Sequence, residues 1–162
     1  MYTNQDLPKE GLYMEDRILT PNYRAGAREF VFALLFAKAF APEDAADAFY
    51  AAELSYVDCE FGDQIDYVHD VFFGVMDELA AIDEKIAAAA VGWNLSRLSK
   101  VTISIMRLCV YEMMAVNDVP KRVALNEAVE LAKKYDDDSA PAFINGVLNT
   151  ISHTLPERDC DK

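Results

Sequence analysis

The sequence has few of the residues on which small secreted, metal-binding or catalytic domains depend. Its three cysteines, Cys59, Cys109 and Cys160, are scattered and odd in number, with no Cys-x-x-Cys spacing. A disulfide framework or zinc site is therefore not expected, and Cys109, among apolar neighbours, reads as a small core residue. Six glycines and six prolines leave long segments uninterrupted, and none of the glycines form a phosphate-cradling loop. No apolar run is long enough to span a bilayer; the longest candidate, Ala87 to Trp93, is far too short. Met1 to Thr20 carries Asp6, Glu10, Glu15 and Asp16 without an apolar run, so it does not read as a signal peptide. A reducing, cytoplasmic location is the expectation, with no membrane association.

What fills the chain instead is alanine, leucine, glutamate and lysine, at 52% apolar residues overall, a composition that favours packed helices. The net charge of -13 is unevenly spread. Residues 42–90 hold thirteen acids and one base, Lys85, whereas residues 20–41 and 91–135 are mildly basic. The acidic block reads as a solvated face. Charge repulsion is screened over about 8 Å at physiological salt, so a local basic face survives on an acidic protein.

Apolar spacing predicts seven helices and no strand. Thr20-Pro21 opens the first, which runs to about Ala41 with Phe30 and Leu34 inward. A second runs from Pro42 to about Leu54, and a third from Gln64 to Leu79 on a stripe of Ile65, Val68, Phe72, Val75 and Leu79. Ile82 to Val91 is a short alanine-rich helix. A long one, capped by Asn94 or Ser96, reaches Val116 with Leu98, Val101, Ile105, Leu108 and Met113 inward. Val123 to Tyr135 follows, with Leu125, Val129 and Ala132 inward. Ser139 caps the last helix, which buries Phe143, Val147, Leu148 and Ile151. The expected organisation is an acidic N-terminal arm over residues 1–20, one helical domain over 21–155, and a flexible tail over 156–162. The fold class is all-α, a bundle with short connections.

Catalytic constellations are weak. Ser152 and His153 have no carboxylate within a helical turn to orient the imidazole. Asp63, Asp66 and Asp70 share a helix side with His69 nearby, but without the Glu-x-x-His pairs of a di-metal bundle they read as a solvated face. No enzyme activity and no cofactor are expected. Arg107 and Glu112 interrupt an apolar helix and read as a structural polar pair at the core rim. Gly146, following Asn145, costs a helix about 1 kcal/mol relative to alanine. Either close helix packing or the approach of another backbone or ligand accounts for it. The positive signal is electrostatic. Arg24 and Arg28 project from one side of the first helix, and the loop Asp136 to Ser139 precedes a helix start whose N–H groups can receive a phosphate. Lys121, Arg122, Lys133 and Lys134 add charge nearby, and no aromatic-rich base-stacking sheet is indicated.

The second half carries a succession of motifs. Trp93-Asn94-Leu95-Ser96-Arg97-Leu98 leads to Ile105-Met106-Arg107-Leu108-Cys109-Val110-Tyr111-Glu112, then Asp118-Val119-Pro120 and Ala124-Leu125-Asn126-Glu127-Ala128-Val129-Glu130-Leu131-Ala132-Lys133, closing on Phe143-Ile144-Asn145-Gly146-Val147-Leu148. With Arg24-Ala25-Gly26-Ala27-Arg28-Glu29 at the first helix, this order and spacing resembles the NusB family of transcription antitermination factors over residues 22–152.

The resemblance implies two packed helical bundles, binding to boxA-type RNA of ribosomal RNA leaders, the ribosomal protein NusE as partner, and a place in an antitermination complex on RNA polymerase. It implies RNA contacts at Arg24, Arg28, Asp138, Ser139 and Phe143, and partner contacts at Phe36, Lys100 and Thr102. Gly26 stands where the family carries an arginine, Ala142 where it often carries a lysine, and Thr102-Ile103 where an acid and a base are common. The loop before the last helix is longer and holds three aspartates. Each lost phosphate contact weakens binding and flattens its salt dependence. The alternative is a diverged protein-interaction module with weak or no RNA binding.

Overall fold

The computed structural model describes residues 21–162; the expected acidic arm, residues 1–20, lies outside the described residues. Seven α-helices and no strand occur among them: α1 (Arg24–Lys38), α2 (Ala46–Ser55), α3 (Ile65–Asp77), α4 (Leu79–Ala89), α5 (Lys100–Ala115), α6 (Lys121–Tyr135) and α7 (Ala140–Thr154). Short 3-10 turns occupy Gly62–Gln64, Leu95–Arg97 and Asp159–Asp161.

α5 is the axis of the fold. It packs against α1 and α3 on one side and against α4, α6 and α7 on the other, so two helical groups share it. Its sequence accounts for this position: Ile103, Ile105, Met106, Leu108, Cys109, Val110 and Met113 are buried, which is apolar burial on nearly every side. Phe32, Phe72, Ile82, Ile86, Ile144 and Leu148 close the core around it. Each fully buried side chain of this size contributes about 1.5–3 kcal/mol relative to exposure.

The stripes expected from spacing hold in their centres, while Leu79, Leu98, Val101 and Phe143 are only half-buried, and Leu79 opens α4 rather than closing α3. Ile65, the first residue of α3, is exposed. On α6 the innermost residues are Ala124, Ala128, Leu131 and Ala132, while Leu125 and Val129 lie at the edge. Small side chains at the centre of the seam let α6 approach α5 and α7 closely, which moves the larger ones outward.

Helix ends differ more. α1 opens at Arg24, after Tyr23 in extended conformation, rather than at Pro21. It closes where the Lys38 ammonium donates to the carbonyls of Ala41 at 2.7 Å and Pro42 at 3.1 Å, a cation at the negative end of the helix. α5 is capped by Ser99, whose hydroxyl accepts the Thr102 N–H at 2.9 Å; Asn94 caps the separate 3-10 turn before it.

Residues 156–162, expected as a flexible tail, make contacts with two helix ends. The Arg158 guanidinium donates to the carbonyls of Glu112 at 3.0 Å, Val116 at 2.9 Å and Val119 at 2.7 Å, at the C-terminal end of α5 and in the turn that follows it. Asp161 accepts the Lys121 N–H at 2.8 Å, the start of α6. A short polar tail looks disordered by composition, but here its two charged groups serve two helix ends at once.

Candidate nucleic-acid interface

The two arginines that open α1 have different fates. Arg28 is buried, and its Nε donates to both oxygens of Glu112 at 2.9 and 3.1 Å. Tyr67 donates its hydroxyl to the same carboxylate at 2.5 Å, and Glu127 lies 3.5 Å from the guanidinium on its other side. Burial pushes the Glu112 carboxyl up from its ordinary value, against the pull of Arg28 and the Tyr67 hydrogen bond. The same burial, with the neighbouring Glu112 charge, raises the Tyr67 hydroxyl. Arg28, expected as a phosphate contact, is thus enclosed with its counter-ion.

Arg24 stays at the surface, one-third exposed. Its Nε donates to Gln64 Oε1 at 2.7 Å, its Nη1 lies 3.1 Å from Asp118 Oδ2, and its Cζ sits 4.2 Å from the Tyr67 ring centroid. The hydrogen bond from Arg24 holds the Asp118 carboxyl below its ordinary value. The guanidinium thus lies over an aromatic ring with a carboxylate at its edge.

At the start of α7 the capping group is Asp137, not Ser139. Asp137 Oδ1 accepts the N–H of Ser139 at 2.9 Å, the N–H of Ala140 at 3.1 Å and the Ser139 hydroxyl at 2.6 Å. These bonds hold the Asp137 carboxyl below its ordinary value. The N–H groups of Ser139 and Ala140, at the helix start expected to receive a phosphate, are consequently taken by the chain's own carboxylate. Asp138 and Ser139 are exposed, and Phe143 is half-buried beneath Trp93, with ring centroids 4.9 Å apart.

Thr102 is buried in the α5 cap, where its hydroxyl donates to Asp136 and accepts from Ser99. Thr102, expected as a partner contact, is thus held inside the cap. The other two residues of that set do come together. The Phe36 ring meets Phe40 edge-on at 5.1 Å, and the Lys100 ammonium lies 5.2 Å from the Phe40 centroid. Phe40, which the sequence reading did not single out, is 64% exposed. Leu35, Lys38, Met76, Leu79, Lys100 and Arg107 line an open groove of about 620 Å³ below it.

The two expected RNA segments stand apart. Arg24 binds Asp118 beyond the C-terminal end of α5, and the Asp136 to Ser139 loop is tied to Thr102 at its N-terminal end. At ~1.5 Å per residue, the helix between them spans roughly 20 Å. Arg107 and Glu112 do not pair with each other, which corrects that expectation: Arg107 binds Asp83 with two bonds of 2.8 Å, and Glu112 serves Arg28. Five positions along a helix place them on different sides. Ser152 donates to the Asn149 carbonyl, and His69 packs against Tyr50 and Phe73. Gly146 is exposed with open space where a Cβ would stand, so close packing does not explain it. The close approach is at Gly74, where an added Cβ would stand 2.0 Å from the Tyr111 hydroxyl oxygen.

These features define the class: an all-helical domain of two helical groups around a shared central helix. Residues 25–153 match the NusB family model. The transcription antitermination protein NusB of Geobacter sulfurreducens is 35% identical over 133 residues, covering 81% of this chain and 94% of the relative. Among solved structures, T. maritima NusB superposes with a TM-score of 0.74 at 27% identity, covering 83% of this chain and 94% of that one. A structure of the antitermination factors NusB and NusE in complex with dsRNA matches with a TM-score of 0.69 at 26% identity, covering 82% of this chain and 98% of that one. The chain belongs to the NusB family of transcription antitermination proteins.

Proposed function

We propose that this protein is a non-enzymatic, cytoplasmic adaptor that binds boxA-type leader RNA together with NusE, as part of an antitermination complex on RNA polymerase. The observation that carries this reading is the likeness, over 98% of its matched chain, to a structure of NusB and NusE in complex with dsRNA. Arg24 supplies the phosphate contact on α1, with Asp118 as an internal competitor for the guanidinium. Ser139 and Phe143 supply the contact at α7. Phe36, Phe40 and Lys100 supply an aromatic and cationic contact for NusE.

A second reading is favoured by the state of the three expected phosphate-binding groups. Arg28 is enclosed, Arg24 is paired and the α7 N–H groups are capped, so intrinsic RNA affinity is low and protein contact dominates. Isothermal titration of NusE into the protein, with and without a boxA-type RNA, separates the two. Coupling is reciprocal, so RNA that is bound with NusE must tighten NusE by the same factor. Equal NusE affinity in both titrations contradicts the RNA adaptor and supports the interaction module.

A further inference from the structure

The α4–α5 connection places a tryptophan in solvent beside the start of α7. Trp93 is 60% exposed, unlike the mostly buried indoles of helical domains. Its position is fixed from both sides. Gly92 adopts φ +83°, a left-handed turn that a side chain would oppose, and the Trp93 N–H donates to the Ala90 carbonyl at 3.0 Å. On the other side Asn94 accepts the Ser96 N–H at 3.0 Å and the Ser96 hydroxyl at 2.8 Å. The indole rests on Phe143 at 4.9 Å with the planes inclined by 54°, so contact with the protein leaves much of it open.

Two cations nearby are of the sign that a phosphate backbone needs. Arg97, in the 3-10 turn that follows, is exposed and forms no ion pair among the described residues. Lys100, at the first turn of α5, is also exposed. Of the loop acids, Asp136 is tied to Thr102 and Asp137 to the α7 start, while Asp138 is exposed. A rigidly presented aromatic with cations one turn away suits single-stranded nucleic acid, whose bases stack on aromatic faces while the backbone meets Lys and Arg.

We propose that Trp93 is a base-stacking residue: its open face receives an unpaired base of the bound RNA, and Arg97 takes an adjacent phosphate. This rests on the RNA reading above and extends its α7 site across the α4–α5 connection. A folded RNA duplex does not offer such a base, so Trp93 contributes selectivity for single-stranded segments.

Trp93 is the only tryptophan in the sequence, so its emission reports on one position. The experiment titrates a boxA-type single-stranded RNA and follows Trp93 emission and, separately, anisotropy of the same RNA carrying a fluorescein label. The expected result is quenching with the same midpoint as the anisotropy change. Trp93→Ala should weaken binding roughly five- to hundred-fold, the effect of one lost base stack, with helicity unchanged, and Trp93→Phe should recover most of the loss. Saturating anisotropy with unchanged emission, or parental affinity in Trp93→Ala, overturns the proposal and leaves the RNA reading standing. No anisotropy change with the parent protein overturns both. Emission that responds to NusE alone and not to RNA overturns the proposal in favour of a protein contact.

Discussion

Arg28 and Glu112, 84 residues apart in the chain, meet at 2.9 Å in a site closed to solvent, with the Tyr67 hydroxyl on the same carboxylate. The pair joins α1 to α5 and fixes how the first helical group sits on the second. Removing one partner leaves the other charge buried and uncompensated, at a cost of about 3–5 kcal/mol. Glu112→Gln should therefore lower stability by that amount in urea unfolding, whereas Arg28→Met with Glu112→Met should lie near the parent. The double variant should also retain the parent's RNA affinity, because Arg28 does not reach the surface.

Arg24 behaves differently. Arg24→Ala should weaken RNA binding and reduce the slope of log affinity against log salt by roughly one contact, with little change in stability. Asp118→Asn removes the carboxylate that holds Arg24 and should tighten RNA binding. Equal affinity of Asp118→Asn and parent, measured by anisotropy, would mean that Arg24 is not a phosphate contact.

Two glycines on different helices should respond with opposite signs. Gly74→Ala drives a Cβ into the Tyr111 ring and should destabilise by about 1–3 kcal/mol, with relief when Tyr111→Ala is added. Gly146→Ala meets open space and should stabilise by about 1 kcal/mol through helix propensity alone. Thermal unfolding of the two variants separates a packing glycine from one that the fold itself does not require.

The number and order of the helices are legible in the sequence because apolar spacing is a local, repeating signal. The caps are less so. Ser96 and Ser99, like Asp137, Asp138 and Ser139, stand within one turn of each other, and the Thr102–Asp136 contact helps select among them. Arg24 and Arg28 look equivalent in sequence, four apart on one side of a helix. Only the distant Glu112 separates them, by drawing Arg28 inward. Trp93, read simply as part of a motif, becomes informative once its exposure and its contact with Phe143 are known. The tail misleads by composition, since Arg158 and Asp161 find their partners at helix ends.

That tail makes a pH-dependent contribution. Burial opposes the Asp161 charge, but the N–H groups of Lys121 and Arg158 and the Arg158 guanidinium outweigh it and hold the carboxyl well below its ordinary value. A depressed folded value means that the stabilisation is present above the unfolded value of about 3.9 and is lost as pH falls below it. Asp161→Asn should be less stable than the parent at neutral pH, and the gap should narrow on acidification. A gap that is constant from neutral pH to below pH ~3 would remove Asp161 from the pH dependence.

The most direct test of RNA binding shared between the α1 and α7 segments is anisotropy of a labelled boxA-type RNA, titrated with this protein at low and high salt, with and without NusE. Salt-sensitive binding that NusE tightens is the predicted result. No binding in any of the four conditions, by protein whose helicity is verified, would contradict it.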